Sequence, residues 1–163
     1  MSHLSRLDTE VQRLLQTRRT AALGTLDESL RPHVSMVPYA VDGADAQLIV
    51  LVSALAAHTV HMQHRPDVSV LIADGEAVGQ PVHALGRLTL YAQAVTAGAE
   101  GVNSLSDRDR LGEVYLSRFP DAAPIAQLPD FRYVVLRVKS VRQVAGFGAA
   151  RDLPVDDFQR LLR

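Results

Sequence analysis

A small, mainly β protein, folded as a closed or split antiparallel barrel with helices set between its strands, is what three features of the sequence predict. About six extended runs follow one another along the chain. Most of their connections are short, which favours antiparallel pairing and disfavours a parallel α/β sheet. The remaining stretches are helix-like and sit at the chain ends or between strands, while closure of the sheet would remove exposed strand edges. A length of 163 residues suits one domain with a real core and is short for two, so residues 1–163 are read as a single domain. Its parts are an N-terminal helix at about 4–17, a barrel at about 20–148 and a short C-terminal tail.

The elements follow in order. Leu4, Leu7, Val11, Leu14 and Leu15 recur at helical spacing and predict an amphipathic helix over 4–17. Arg18 and Arg19 follow it, where cations suit a helix C-terminus. Thr20 to Leu26 is the first strand and Arg31 to Val41 the second. Asp42-Gly43-Ala44-Asp45 marks a turn, and Gln47 to Ser53 forms the third strand. Ala54 to Arg65 reads as a helix stopped by Pro66. Val68, Val70 and Ile72 set the fourth strand, and a long fifth strand runs from His83 to about Thr96. Ser104 and Ser106 are candidate caps of a helix reaching about Arg118. A Pro/Ala-rich loop, 119–130, leads to the last strand, Phe131 to Val144. After Gly146-Phe147-Gly148 the tail from Leu153 is a short amphipathic piece.

Composition excludes several chemistries. The formal net charge is −1, so nothing points to a nucleic-acid partner. The absence of cysteine removes disulfides, thiolate catalysis and thiolate-held metal sites. Lys139 is the single lysine among 17 basic residues, which disfavours Schiff-base chemistry. Leu48 to Ala57, the longest apolar stretch, is about half of what spans a bilayer. The N-terminus carries no apolar signal core. The expectation is a cytoplasmic protein with no membrane partner.

The chemically informative stretch is Arg31 to His64. A strand ending in Ser53 opens a helix through small residues, and such a helix start offers outward N–H groups and a favourable dipole to an anion. Ser53 and Thr59 add hydroxyls and His58 an imidazole, so a phosphate suits this corner; Ser53 acting as a plain helix cap is the alternative.

Gly24-Thr25-Leu26, Arg31-Pro32-His33-Val34-Ser35-Met36-Val37-Pro38-Tyr39 and Ser53-Ala54-Leu55-Ala56-Ala57-His58-Thr59 together resemble the pyridoxamine 5′-phosphate oxidase-like, FMN-binding split-barrel superfamily. The likeness is nearest to its haem-utilisation branch. Arg87-Leu88-Thr89-Leu90 and the run from Phe131-Arg132 to Gly146-Phe147-Gly148-Ala149 extend it over roughly residues 10–150. The resemblance implies a six-stranded split barrel working as a homodimer, with FMN in the groove between subunits. It implies that Val34, Ser35, Met36 and Val37 lie along the flavin, partly through backbone groups. Val52, Ser53, His58 and Thr59 would hold the phosphate end. The implied activity is a flavin-dependent oxidoreductase with a small-molecule substrate that the residues do not name. Haem and the deazaflavin F420 are the alternative cofactors, and a haem-utilisation protein or a non-catalytic ligand-binding module the alternative functions. Ala40 stands where the oxidase proper carries a lysine for its substrate's phosphate, and no residue declares itself a general acid or base.

His58, His61 and His64 are spaced so that all three cannot face one ion from a helix, and no metal site is assigned. Tyr39, Tyr91, Tyr115, Tyr133 and Phe147 are either ring neighbours of a cofactor or barrel packing.

Overall fold

The structure, a computed structural model, describes residues 4–96 and 105–163. Helix α1 spans Arg6–Thr17 and starts where the sequence supplies a capping box. The Ser5 hydroxyl accepts from the Asp8 amide, and the Asp8 carboxylate accepts from the Ser5 amide. Val11, Leu14 and Leu15 form its buried stripe.

The strands are β1 (Thr20–Leu26), β2 (Pro32–Pro38), β3 (Ala40–Asp42), β4 (Gln47–Ser53), β5 (Asp67–Ala73), β6 (Arg87–Thr96), β7 (Phe131–Val144) and β8 (Ala150–Leu153). They pair antiparallel in the order β2-β1-β5-β6-β7-β4-β3, with β8 added to β7. The two ends of that order, β2 and β3, are separated in the chain by Tyr39 alone. One bent run therefore pairs β1 with its first half and β4 with its second, which curls the sheet round on itself. Counted this way the barrel has the six strands expected, and the second expected strand, 31–41, is this run broken at Tyr39.

The break has local causes. Pro38 has no N–H to give to a ladder. The Tyr39 amide turns away to the Arg19 carbonyl (3.2 Å), and its phenol donates to the Leu15 carbonyl (3.3 Å). Up to Pro38, β2 is unpaired along its second edge, and this is the split of the barrel. Strand β7 is long enough to pair β4, β6 and β8. It bends at a bulge where Lys139 is the extra residue between the Tyr91–Ser140 and Ala92–Val138 pairs.

The interior is filled by alternate residues, among them Leu23, Leu48, Val50, Val70, Ile72, Leu88, Leu90, Val134 and Leu136, all almost wholly buried. Burying each such side chain contributes about 1.5–3 kcal/mol. Leu14 and Leu15 of α1 pack into the same core, as does Phe158 of α5 (Val155–Leu162). A second cluster lies outside the barrel wall, where α3 (Leu105–Arg118) covers β3, β4 and β7. It contains Ala40, Ile49, Leu111, Tyr115, Phe119, Tyr133 and Val135.

Several boundaries differ from expectation. The helix expected at 54–65 is α2, Ala57–His64, because residues 54–56 form a tight turn held by the Ala54 amide on the Asp130 carbonyl. The fifth strand starts at Arg87, since Val82–Ala84 makes a single 3₁₀ turn. The 119–130 loop contains a 3₁₀ turn, Pro120–Ala122, and the short helix α4, Ala123–Ala126. Gly146 and Gly148, at φ of 110° and 78°, reverse the chain into β8, so the tail begins as a strand. Ser104 and the side chain of Ser106 lie outside the described residues. Among those described, no helix is long and apolar enough to cross a membrane.

Candidate functional site

Two regions beside the split of the barrel invite a ligand, and they are built differently. The first is the α2 corner. Here α2 sits against β1 and β2, held by paired hydroxyls and imidazoles: Ser35 Oγ lies 3.0 Å from His58 Nδ1, and Thr25 Oγ1 lies 3.0 Å from His61 Nδ1. The His33 ring meets His61 edge-on at 5.2 Å between centroids. Burial, and then the neighbouring His33 and His61, push the His58 pKa below its ordinary 6.5. The His58 imidazole is thus held neutral, and its Nε2 is buried without a hydrogen-bond partner.

Two of the expected phosphate donors, Ser53 and Thr59, are spent on the protein itself. The Ser53 hydroxyl donates to the Asp130 carboxylate (2.9 Å) while accepting from the Leu55 amide. The Thr59 hydroxyl, fully buried, donates to the Ser53 carbonyl (2.6 Å). Val52 points into the barrel core, and the α2 N-terminus has no side-chain cap. A phosphate here would have the unpartnered His58 Nε2 and the uncapped start of α2 to bind, opposed by the Asp130 carboxylate that Ser53 holds. The structure sets Ser53, His58 and Thr59 at one corner, where Ser53 is paired to Asp130, His58 to Ser35, and Thr59 to the Ser53 carbonyl.

On β2 the alternation of faces decides what each expected residue can do. Val34 and Met36 project outward and stay 68% and 67% exposed. Ser35 turns inward to His58, and Val37 enters the core. The backbone of these four residues is paired to β1 on one edge, leaving the other edge facing the split.

The second region is a cleft of about 470 Å³ at that split. Its floor is Thr20, Pro38 and Leu51, from the start of β1, the end of β2 and the outer face of β4. Its wall is aromatic and aliphatic: Tyr115 and Phe119 from the end of α3, Ile125 from α4, and Phe131 from the start of β7. Arg19 and Asp121 stand at this cleft as its charged groups, with the Arg19 guanidinium over the Phe119 ring at 4.9 Å. The Tyr115 phenol is buried, which pushes its pKa up to about 12 and keeps it protonated. Apolar walls with a few placed polar groups are the usual make-up of a small-molecule site.

Sequence reasoning named Tyr115 only as an alternative to packing and missed Arg19, Leu51, Phe119, Ile125 and Phe131. No spacing rule could have found them, because they come from five separate segments. The doublet Arg18-Arg19 after α1 was a weak signal, read as helix termination. Also missed was His33, which the β1–β2 register places beside His61. Among the described residues no three histidine or carboxylate side chains converge as a metal site.

Comparison with known proteins agrees with this architecture. The family profile described as pyridoxamine 5′-phosphate oxidase matches residues 7–145. Heme oxygenase HutZ of Vibrio cholerae is 29% identical over 153 residues, covering 93% of this chain and 84% of the relative. A crystal structure of HutZ, there described as a heme storage protein, superposes with a TM-score of 0.66 at 25% identity, covering 82% of this chain and 91% of that one. A chloroplastic heme oxygenase, HOZ, of Arabidopsis thaliana is 31% identical over 144 residues, 86% of this chain but 41% of the relative. The heme binding protein from Mycobacterium smegmatis shares the fold at a TM-score of 0.82 and 23% identity, covering 98% of this chain and 62% of that one. This chain thus spans less than half of the Arabidopsis relative and just under two thirds of the M. smegmatis protein. With its profile match running through the whole barrel and the split-barrel topology in place, the chain belongs to the pyridoxamine 5′-phosphate oxidase family.

Proposed function

We propose that this protein binds haem, as a homodimer, with the porphyrin lodged in the apolar cleft at the split of the barrel. The observation that carries this reading is the contrast between the two regions. The corner expected to hold a phosphate is filled by its own hydrogen bonds and carries the Asp130 carboxylate. The neighbouring cleft offers aromatic walls and a cation. A porphyrin has a large apolar plane and two carboxylates, which suit Phe119, Phe131, Ile125 and Arg19. HutZ, the M. smegmatis protein and the Arabidopsis relative are all described by their dealings with heme. Haem supplies redox chemistry when bound. The chain's part is to bind and orient it and keep water from its face.

The dimer rests on the outer face of β2-β1-β5-β6. Val34, Met36, Leu71 and Tyr91 are exposed there around the small residues Ala22, Gly24 and Ser69. A continuous apolar face of this kind marks association, and a second copy is the occupant proposed. Reading the protein as an FMN-dependent oxidoreductase is supported by the family match, the uncapped start of α2 and the unpartnered His58 Nε2, which in its protonated tautomer would donate to a phosphate oxygen.

Parallel titrations of the purified protein with haem and with FMN test the choice. A Soret band that saturates and survives gel filtration, with FMN lost from the protein, is the expected result. Retention of flavin absorbance with no Soret band would reverse the assignment. Sedimentation of the wild type and of Met36→Asp tests the dimer, and equal masses for the two would remove it.

A further inference from the structure

Three arginines meet where α1 runs into β1 and α3 ends, and they have different fates. The Arg118 guanidinium donates to the carbonyls of Leu15 (3.0 Å), Gln16 (3.3 Å) and Arg18 (2.6 Å), so it ties the two helix ends together. Arg18 turns to Asp74, 3.9 Å away. Arg19 is exposed and makes one long hydrogen bond, 3.5 Å to the Arg118 carbonyl; no carboxylate among the described residues lies within 4 Å of it. The cation left over by the fold is therefore the one stacked on Phe119 at the cleft.

The same cleft is poor in metal ligands. Among the described residues no histidine or methionine side chain lines it, and cysteine is absent from the chain. Among the described residues Tyr115 and Asp121 are the lining side chains whose oxygens could bind iron; burial disfavours the Tyr115 phenolate, which leaves a single carboxylate. What the cleft can recognise is a ring and an acid group: stacking and apolar contact for the plane, and a guanidinium fork for a carboxylate.

We infer that Arg19 is the carboxylate-reading residue of this cleft, which selects planar aromatic ligands by their ring and acidic arms rather than by a coordinated metal. The inference rests on the haem reading above and narrows it. It makes metal-free porphyrin diacids ligands equal to haem, and neutral porphyrins weak ones.

The test compares wild type, Arg19→Gln and Arg19→Lys, titrated with iron protoporphyrin IX, metal-free protoporphyrin IX and the dimethyl ester of the latter. Absorbance and porphyrin fluorescence are the readouts. Wild type is expected to bind the two diacids with Kd values within about threefold. Arg19→Gln is expected to weaken both by about tenfold, the size of one charge-assisted hydrogen bond, and to leave the diester unchanged. Arg19→Lys should restore part of the loss. Thermal unfolding of both variants should stay close to wild type, because Arg19 is exposed and its contacts are one long hydrogen bond and the stacking on Phe119. If no porphyrin binds wild type, the haem reading fails and this inference with it. If porphyrins bind but Arg19→Gln leaves the diacids untouched, weakens the diester equally, or iron proves necessary, the inference alone is overturned.

Discussion

The α2 corner and the α3–α4 cleft lie on neighbouring parts of the same barrel, yet one is closed by its own chemistry and the other is left open. The corner gathers Thr25, Ser35, Ser53, His58, Thr59 and His61, and nearly every polar atom it brings finds another. The cleft gathers apolar side chains that cover one another incompletely, and a guanidinium with little to hold. Polar residues packed together tend to satisfy each other, since a buried donor left unmade costs about 1–3 kcal/mol. Ligand capacity then falls to the place where the fold leaves apolar surface and charge unspent.

Four measurements press on that contrast. The largest effect is expected at Arg118, which holds the cleft's α3 wall to the end of α1. Arg118→Ala should cost about 3 kcal/mol in chemical denaturation, because three backbone carbonyls lose a charged donor. A loss below about 1 kcal/mol would mean that the wall stands by packing alone. Next comes Ile125→Trp. Ile125 is 42% exposed on the cleft wall, so the larger ring should block the cleft and weaken porphyrin binding at least about tenfold. Stability should stay within about 0.5 kcal/mol of wild type. Binding that survives this substitution places the ligand elsewhere.

Smaller effects belong to the corner. Ser35→Ala should cost about 1 kcal/mol by removing the partner of His58 Nδ1, and should leave porphyrin affinity as it was. The pH dependence is smaller still and its sign is set. His58 has a folded pKa below 6.5, so between those two values the unfolded chain binds the extra proton. Its contribution to stability is therefore full above 6.5 and is lost as pH falls from there through the folded value. Denaturation midpoints of wild type should decline over that window more steeply than those of His58→Gln. Parallel curves would show that the imidazole titrates freely, and the corner would then be open to water.

Much of the fold was legible because it depends on local pattern. A short apolar run located β1, the alternation of Val68, Val70 and Ile72 located β5, and the helical spacing of Leu4, Leu7, Val11, Leu14 and Leu15 located α1. The residues of the α2 corner were legible too, being close in sequence. Their roles were not, because whether Ser53 faces a phosphate or Asp130 depends on a strand that returns 77 residues later.

The sequence by itself determined an antiparallel barrel with helices between its strands, since strand period, turn chemistry and helix caps are properties of a few consecutive residues. Only the tertiary structure decided that one strand bends at Tyr39 to join both ends of the sheet, and that the split beside Pro38 stays unpaired. It also decided which of three arginines is left free. The physical reason is competition: each donor binds the nearest acceptor that the folded chain presents, and that acceptor is chosen by packing across long stretches of sequence.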